Sequence, residues 1–488
     1  MTKDPKVTDL ARDLEPRLTP RFVSEALGVP ILPDLSRVSG EPFSSIVTDS
    51  RKIQTGCLFV ALKGDKFDGH DFIPQAVTGG ARGILCRRGA TTVPQAQKGL
   101  HVFAVDDTLE AYRELAFAWR REFSIPLVAV AGSVGKTTTK EFLAALLRGR
   151  WNEVLKTEGS QNGFVGIPMT LLKLEATHGA AVIEVGIDEP GVMEDHMALV
   201  RASAGVLTAI GPEHLEKLRD VPTIAREEGA ALQAIDRDGG LVAINLDDSW
   251  IKPHFTTLKG ARKIAYTLGT QSGDKILQGK VSGDGKQIKL TGLGLKGESF
   301  ELPLAGEHNA RNFLAAAAVA AGIGLSAEEI ATGLKTFQGP EGRSQIREIA
   351  GKSPIVCDYY NANPDSTVAG LKLLVQTAKE RKSGAKIACL ADMLELGKDE
   401  EKYHRALATS LIDLGIENVL LYGERMKWLL EELKSRGYSG QASHFDDQTE
   451  LSKSLRSVFK SGDAVLIKGS HGMHMEEVWK ALEASAGK

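Results

Sequence analysis

The chain is 488 residues long, with 60 basic and 63 acidic side chains and a formal net charge of −3. That length predicts about three domains of ordinary size, and the balanced charge gives no ground for a nucleic-acid partner or an acidic membrane surface. Hydrophobic residues at 42% and charged residues at 25% are the proportions of a soluble globular protein.

The opening MTKDPKVTDL has no apolar core of the kind a signal peptide carries. The longest apolar stretch, Phe313–Leu325, is alanine-rich and too short to span a bilayer. Cys57, Cys86, Cys357 and Cys389 form no close pair, so neither zinc nor a disulfide framework is suggested. The expectation is a cytoplasmic protein, a monomer, with no membrane insertion and no nucleic-acid partner.

Residues 1–122 hold short apolar strands, Leu58–Ala61, Gly83–Cys86 and Val102–Val105, and end in a helical stretch, Leu109–Arg121. Ser124-Ile125-Pro126 marks a break. The second block, 123–338, alternates buried-strand runs at Ala181–Val185, Gly205–Ile210 and Leu241–Asn245 with helical segments. Residues 262–304 are glycine-rich with short alternating strands, which predicts a small antiparallel insert. Gln338-Gly339-Pro340-Glu341-Gly342 reads as a linker. The third block, 339–488, alternates again, with strands at Ile355–Asp358, Lys386–Leu390, Asn418–Tyr422 and Ala464–Ile467. The pattern predicts an α/β protein of three domains: a smaller N-terminal α/β domain, a central parallel-sheet domain and a C-terminal Rossmann-like domain.

The chemistry starts at VAVAGSVGKTTTKEFLAALL, residues 128–147. An apolar strand runs into Gly132-Ser133-Val134-Gly135-Lys136-Thr137-Thr138, and a helix follows at once. Glycine lets the backbone approach an anion, and the helix N-terminus offers unpaired N–H groups to it. Lys136 would reach the terminal phosphates of a nucleoside triphosphate, and the Thr137 hydroxyl would ligate Mg²⁺. The usual pattern has a further glycine where this chain has Val130, and a plain strand-to-helix turn is the competing explanation. Glu184 ends the strand Ala181–Val185, a place suited to a second metal-directed carboxylate, although a surface glutamate also fits there.

Further motifs follow in a fixed order: TEGSQNGFVGIPMTLL (157–172), VIEVG (182–186), GPEHLEKL (211–218), GEHNARNFLAAAA (306–318), GPEGR (339–343), DYYNANPDS (358–366), LADMLELG (390–397) and LIKGSHGMHMEEVW (466–479). With TDSRKIQTGCLFVALKGDKFDGHDFI (48–73), they closely resemble the Mur ligase family of cell-wall synthesis over nearly the whole chain. Tyr360-Asn361-Ala362-Asn363-Pro364 resembles the member that joins D-alanyl-D-alanine to a UDP-N-acetylmuramoyl-tripeptide; the Asp-Asn-Pro-Arg motif of the preceding amino-acid-adding member is absent. The resemblance implies ATP and Mg²⁺ as cofactors, and attack of the substrate carboxylate on the γ-phosphate to give an acyl phosphate. The incoming amine then displaces phosphate. A sister ligase, a folylpolyglutamate-type relative or a nucleotide-binding regulator that no longer ligates are the alternatives.

By the same resemblance His214 is a catalytic and metal residue, and Asn162 matches an active-site asparagine whose usual neighbour is here Gly163. Asn309 would read the adenine, with helix capping as its competing role. Arg343 and Asp358 would close over the ATP phosphates and ribose, Ser50 and Arg51 would hold the UDP moiety, and Asn361 and Asn363 would meet the peptide end or the incoming dipeptide. His471 stands where many relatives have arginine, and Asp392, Glu395 and His404 fit the pattern with no assigned step. Relatives carry a carbamylated lysine fourteen residues after the histidine, an anionic metal ligand. Here that position is Glu228, in IAREEGAAL (224–232), which already has a carboxylate but a shorter reach. It is expected to supply the missing charge as a catalytic and metal residue, directly or through water; a merely charged helix residue is the other possibility.

Overall fold

The structure, a computed structural model, describes residues 17–32, 40–64, 66–90, 92, 99–260, 262–283, 285–349 and 353–486. The MTKDPKVTDL opening lies outside them. The chain divides into two compact units, one of residues 1–127, 152–183 and 196–201, the other of 128–151, 184–195 and 202–488.

In the first unit, Ile46–Val47, Leu58–Val60, Gly83–Arg87 and His101–Val105 pair in that order, all parallel. Leu58–Val60 is buried on both faces, as parallel strands require, and Cys57, Phe59, Ile73, Val77, Ile84 and Cys86 share one core. The helix Thr108–Arg121 starts at Asp107, whose carboxylate accepts the N–H groups of Leu109 and Glu110. Ala111, Tyr112, Leu115, Ala116 and Trp119 form its buried stripe.

In the second unit, a sheet runs Leu295–Glu301, Gln287–Gly292, Ile276–Ser282, Arg262–Thr267, Leu241–Asn245, Ala204–Leu207, Leu127–Ala131. The segment 262–304 is therefore only partly the antiparallel insert expected of it. Arg262–Thr267 pairs parallel to Leu241–Asn245, and Ile276–Ser282 pairs parallel to Arg262–Thr267. Ile264, Ala265, Tyr266 and Thr267 are buried without alternation, so this strand extends the parallel sheet. Only the last two pairings are antiparallel, and both are made by Gln287–Gly292, which alternates exposed and buried residues.

Helix Lys136–Leu147 packs on the alanine-rich helix Glu307–Gly322, where small side chains let the two backbones approach. Phe142 stacks on Phe337 at 4.2 Å between ring centres and meets the Phe313 ring edge-on at 5.5 Å.

A second sheet of this unit runs Gln345–Ile349, Ser353–Cys357, Ala464–Lys468, Lys386–Ala391, Asn418–Tyr422, Gln441–Phe445. Only its first pairing is antiparallel. The last strand in sequence thus sits between the second and third. Chain segments leave this point in opposite directions, which opens a crevice at the carboxyl ends of the strands. Asp358, Asp392 and Lys468 lie there. Among the described residues no helix is long and apolar enough to cross a membrane.

Candidate active site

Strand Leu127–Ala131 is wholly buried, Val130 included, so the turn is made by the glycines that follow rather than by one at position 130. Gly132 has φ +114° and Gly135 φ +89°, backbone that favours glycine. A Cβ on Gly132 would lie 2.6 Å from the Thr208 hydroxyl, and one on Gly135 would collide with the Asn312 carboxamide. Ser133, Val134, Gly135 and Thr138 line a cavity of about 670 Å³. Asn309, Arg343, Asp358, Asn361 and Asn363 line the same cavity. The structure therefore brings the phosphate loop and the third-block residues to one site.

Lys136 lies beneath the loop. Its Nζ donates to the Gly132 carbonyl at 2.5 Å and lies 3.2 Å from Glu213 Oε2. Burial works against its charge, but Glu213, Glu228 and Glu184 outweigh burial and hold its pKa above the ordinary lysine value. Glu213 was not among the expected site residues. Its place in Pro-Glu-His, beside His214, was the only sequence signal for it. Burial also pushes the Glu213 carboxyl upward, against the pull of Lys136.

The Thr137 hydroxyl donates to Glu184 Oε1 at 3.1 Å, and Glu184 Oε2 is 3.5 Å from Lys140. Glu228 is fully buried on helix Val221–Arg237, and its Oε2 accepts the Gly132 N–H at 2.7 Å. The helix thus lies close enough for this side chain to touch the loop itself. Glu228 Oε1 is buried with no hydrogen-bond partner, and burial pushes the carboxyl up to about 7, against the opposing charge of Lys136.

His214 has φ +47° and places Nδ1 2.5 Å from Glu395 Oε2. Burial disfavours its charge, but Glu395 and Glu213 raise its pKa overall. Thr137, Glu184, His214 and Glu228 are not gathered into one ligand cluster: among the described residues no three His, Cys, Asp or Glu side chains converge as a metal site. Mg²⁺ commonly takes one or two carboxylates, with phosphates and water completing its shell. The Thr137–Glu184 pair, hard oxygen donors at the loop, fits that requirement. His214 is directed instead to Glu395.

Other expected residues have definite local partners. Asn309 is not a helix cap, because the helix begins at Glu307; its side-chain amide donates to the Ala305 carbonyl at 2.8 Å. Asn363 is a cap: its Oδ1 accepts the Ser366 N–H at 2.8 Å, with Pro364 as the first helical residue. Asn361 Oδ1 accepts the Ala362 N–H. Asp392 accepts the N–H groups of Arg425 and Met426 at the start of helix Met426–Ser435, and His404 Nε2 accepts the Met393 N–H. Those two are scaffold for the crevice.

In the first unit, Ser50 and Arg51 open a short 3₁₀ turn capped by Asp49. The Arg51 guanidinium forks onto that carboxylate at 2.8 and 2.9 Å, which pulls the Asp49 pKa to about 2. Arg51 is thus already paired, and a pyrophosphate would have to compete with Asp49. Asn162 is half-buried in the loop before helix Gly166–Leu171.

Three segments of the chain match known domains of one family: residues 42–120 the Mur ligase catalytic domain, 130–320 the Mur ligase middle domain, and 342–471 the Mur ligase glutamate ligase domain. The chain is 31% identical to the UDP-N-acetylmuramoyl-tripeptide–D-alanyl-D-alanine ligase of Bacillus subtilis, over 90% of this chain and 92% of that one. It is 32% identical to the enzyme of the same name from Escherichia coli, over 90% and 93%. The crystal structure of MurF from Acinetobacter baumannii superposes with a TM-score of 0.83 at 27% identity, covering 96% of this chain and all of that one. A P-loop cavity shared with third-block residues, and relatives aligned across nine-tenths of the sequence, lead to one conclusion: this chain belongs to the Mur ligase family.

Proposed function

We propose that this chain joins D-alanyl-D-alanine to a UDP-N-acetylmuramoyl-tripeptide at the expense of ATP, a step of peptidoglycan precursor assembly on which cell-wall growth, shape and division depend. The supporting observation is the cavity that the Lys136 loop shares with Arg343 and Asp358. The work is divided among residues 1–122, which hold the UDP end, 123–338, which hold ATP, and 339–488, which complete the nucleotide site and receive the dipeptide. It takes place in the cytoplasm, and one copy of the chain suffices.

An amide cannot form directly from a carboxylate at neutral pH, because the departing oxygen is too poor a leaving group. Phosphorylation solves this, but it brings an anion to an anion, so cationic groups must wait at the junction. Lys136 is kept charged there by three carboxylates, and on closure it exchanges the Glu213 contact for the γ-phosphate. The N–H groups of the Gly132–Thr138 turn cradle the other phosphates, and Arg343 approaches from the third block. Thr137 and Glu184 would hold Mg²⁺, which supplies charge neutralisation and Lewis acidity. Ser50, Arg51 and Asn162 orient the UDP substrate, Asn309 the adenine, and Asn361 and Asn363 the peptide ends.

Phosphate release from ATP tests this directly. It is expected only when both UDP-N-acetylmuramoyl-tripeptide and D-alanyl-D-alanine are present. Release at the same rate without the dipeptide would make the chain a nucleotide hydrolase and overturn the proposal.

A further inference from the structure

Lys468 has no part in the roles above, yet it is only 2% exposed and lines the nucleotide cavity. A lysine so enclosed is costly unless its charge and all three donors are met. Its Nζ donates to Asp358 Oδ2 at 2.7 Å and to the Asn361 carbonyl at 2.8 Å, and lies 3.4 Å from the Asp358 carbonyl. One ammonium therefore pins both ends of the segment 358–361.

The other Asp358 oxygen accepts the Ser344 N–H at 2.9 Å. Ser344 has φ +50°, a conformation that a residue with a Cβ keeps only when its surroundings impose it. Its hydroxyl lies 3.1 Å from His308 Nε2, on the first turn of helix Glu307–Gly322. Arg343 immediately precedes this turn, and its guanidinium sits 4.3 Å from the centre of the Tyr360 ring. Tyr360 belongs to the pinned segment and stacks with His471, three residues beyond Lys468, at 5.3 Å. The Lys-Gly-Ser-His loop thus grips the segment twice, by an ammonium and by a ring. A planar guanidinium could stack on Tyr360 as the imidazole does.

We propose that Lys468 is a positioning residue for Arg343: it fixes the Asp358 carboxylate, which holds the left-handed turn at Ser344, and that turn sets the Arg343 guanidinium at the cavity. This rests on the proposed contact of Arg343 with the nucleotide phosphates.

The test is a double-mutant cycle read by calorimetric binding of a non-hydrolysable ATP analogue with Mg²⁺. Lys468→Gln and Arg343→Ala are each expected to weaken binding about tenfold, as loss of a charged hydrogen bond does, while the double variant loses no more than about twofold beyond either one. Lys468→Arg, which retains charge and donors, should recover part of the loss. A merely structural lysine would give independent effects, which multiply to about a hundredfold, and that result overturns the proposal. So does wild-type binding by Lys468→Gln beside a weakened Arg343→Ala. If Arg343→Ala binds as wild type, the underlying role of Arg343 falls and the inference falls with it. Should Lys468→Gln not fold, the cycle is run with Lys468→Arg, whose smaller remaining loss is expected to show the same non-additivity with Arg343→Ala; independent effects again overturn it.

Discussion

Lys136→Ala is expected to lower turnover about 100-fold or more while the protein stays folded. The ammonium sits at the base of the phosphate loop, on the Gly132 carbonyl and beside Glu213, and three carboxylates keep it charged. It is the cation best placed to meet charge as the γ-phosphate transfers, and alanine offers nothing in its place. Removing it takes from Glu213 and Glu228 their main opposing charge in a buried site, which would strain the fold if both stayed ionised. Both carboxyls are already raised by burial, so the variant relieves that strain by taking up protons. Turnover with both substrates, measured beside thermal unfolding, separates the two effects. Near-wild-type turnover would remove Lys136 from the mechanism.

Glu228→Gln should cost about tenfold to 100-fold in turnover and raise the Mg²⁺ concentration needed for half-maximal rate. The substitution keeps an oxygen able to accept the Gly132 N–H, so the loop retains its shape while the charge is lost. What remains is the effect of the anion alone. Because Glu228 carries its own carboxylate, wild-type activity should not depend on bicarbonate. Burial raises its pKa to about 7, so the anion is present above that pH and lost below it. The wild-type rate should therefore fall as pH drops through about 7, and this limb should be missing from Glu228→Gln. Full activity in the variant with unchanged Mg²⁺ dependence, or a bicarbonate requirement in wild type, would contradict the role.

The elements most legible in the sequence are those buried on both faces. Leu127–Ala131 and Ala464–Lys468 are unbroken apolar runs, and the structure buries every residue in them. Gln345–Ile349 and Gln441–Phe445 gave no such signal, because they are half-exposed edge strands held by pairing rather than by apolar content. The P-loop was legible for a related reason: glycine, lysine and threonine requirements are local to a turn. Contacts between distant segments were not. Nothing in the spacing places His214 on Glu395 or Lys468 on Asp358, since those pairs are made by strand order and crossover. Asn363 shows the opposite limit, where a motif read as a substrate contact also serves the first turn of its own helix.

Mass spectrometry of the product tests the central claim most directly. The chain is incubated with ATP, Mg²⁺, D-alanyl-D-alanine and UDP-N-acetylmuramoyl-tripeptide carrying either diaminopimelate or lysine. At least one tripeptide should gain the mass of the dipeptide less one water, with one ADP and one phosphate formed per product. ATP consumption that leaves both tripeptides unchanged, or addition of a single amino acid in place of the dipeptide, would contradict it.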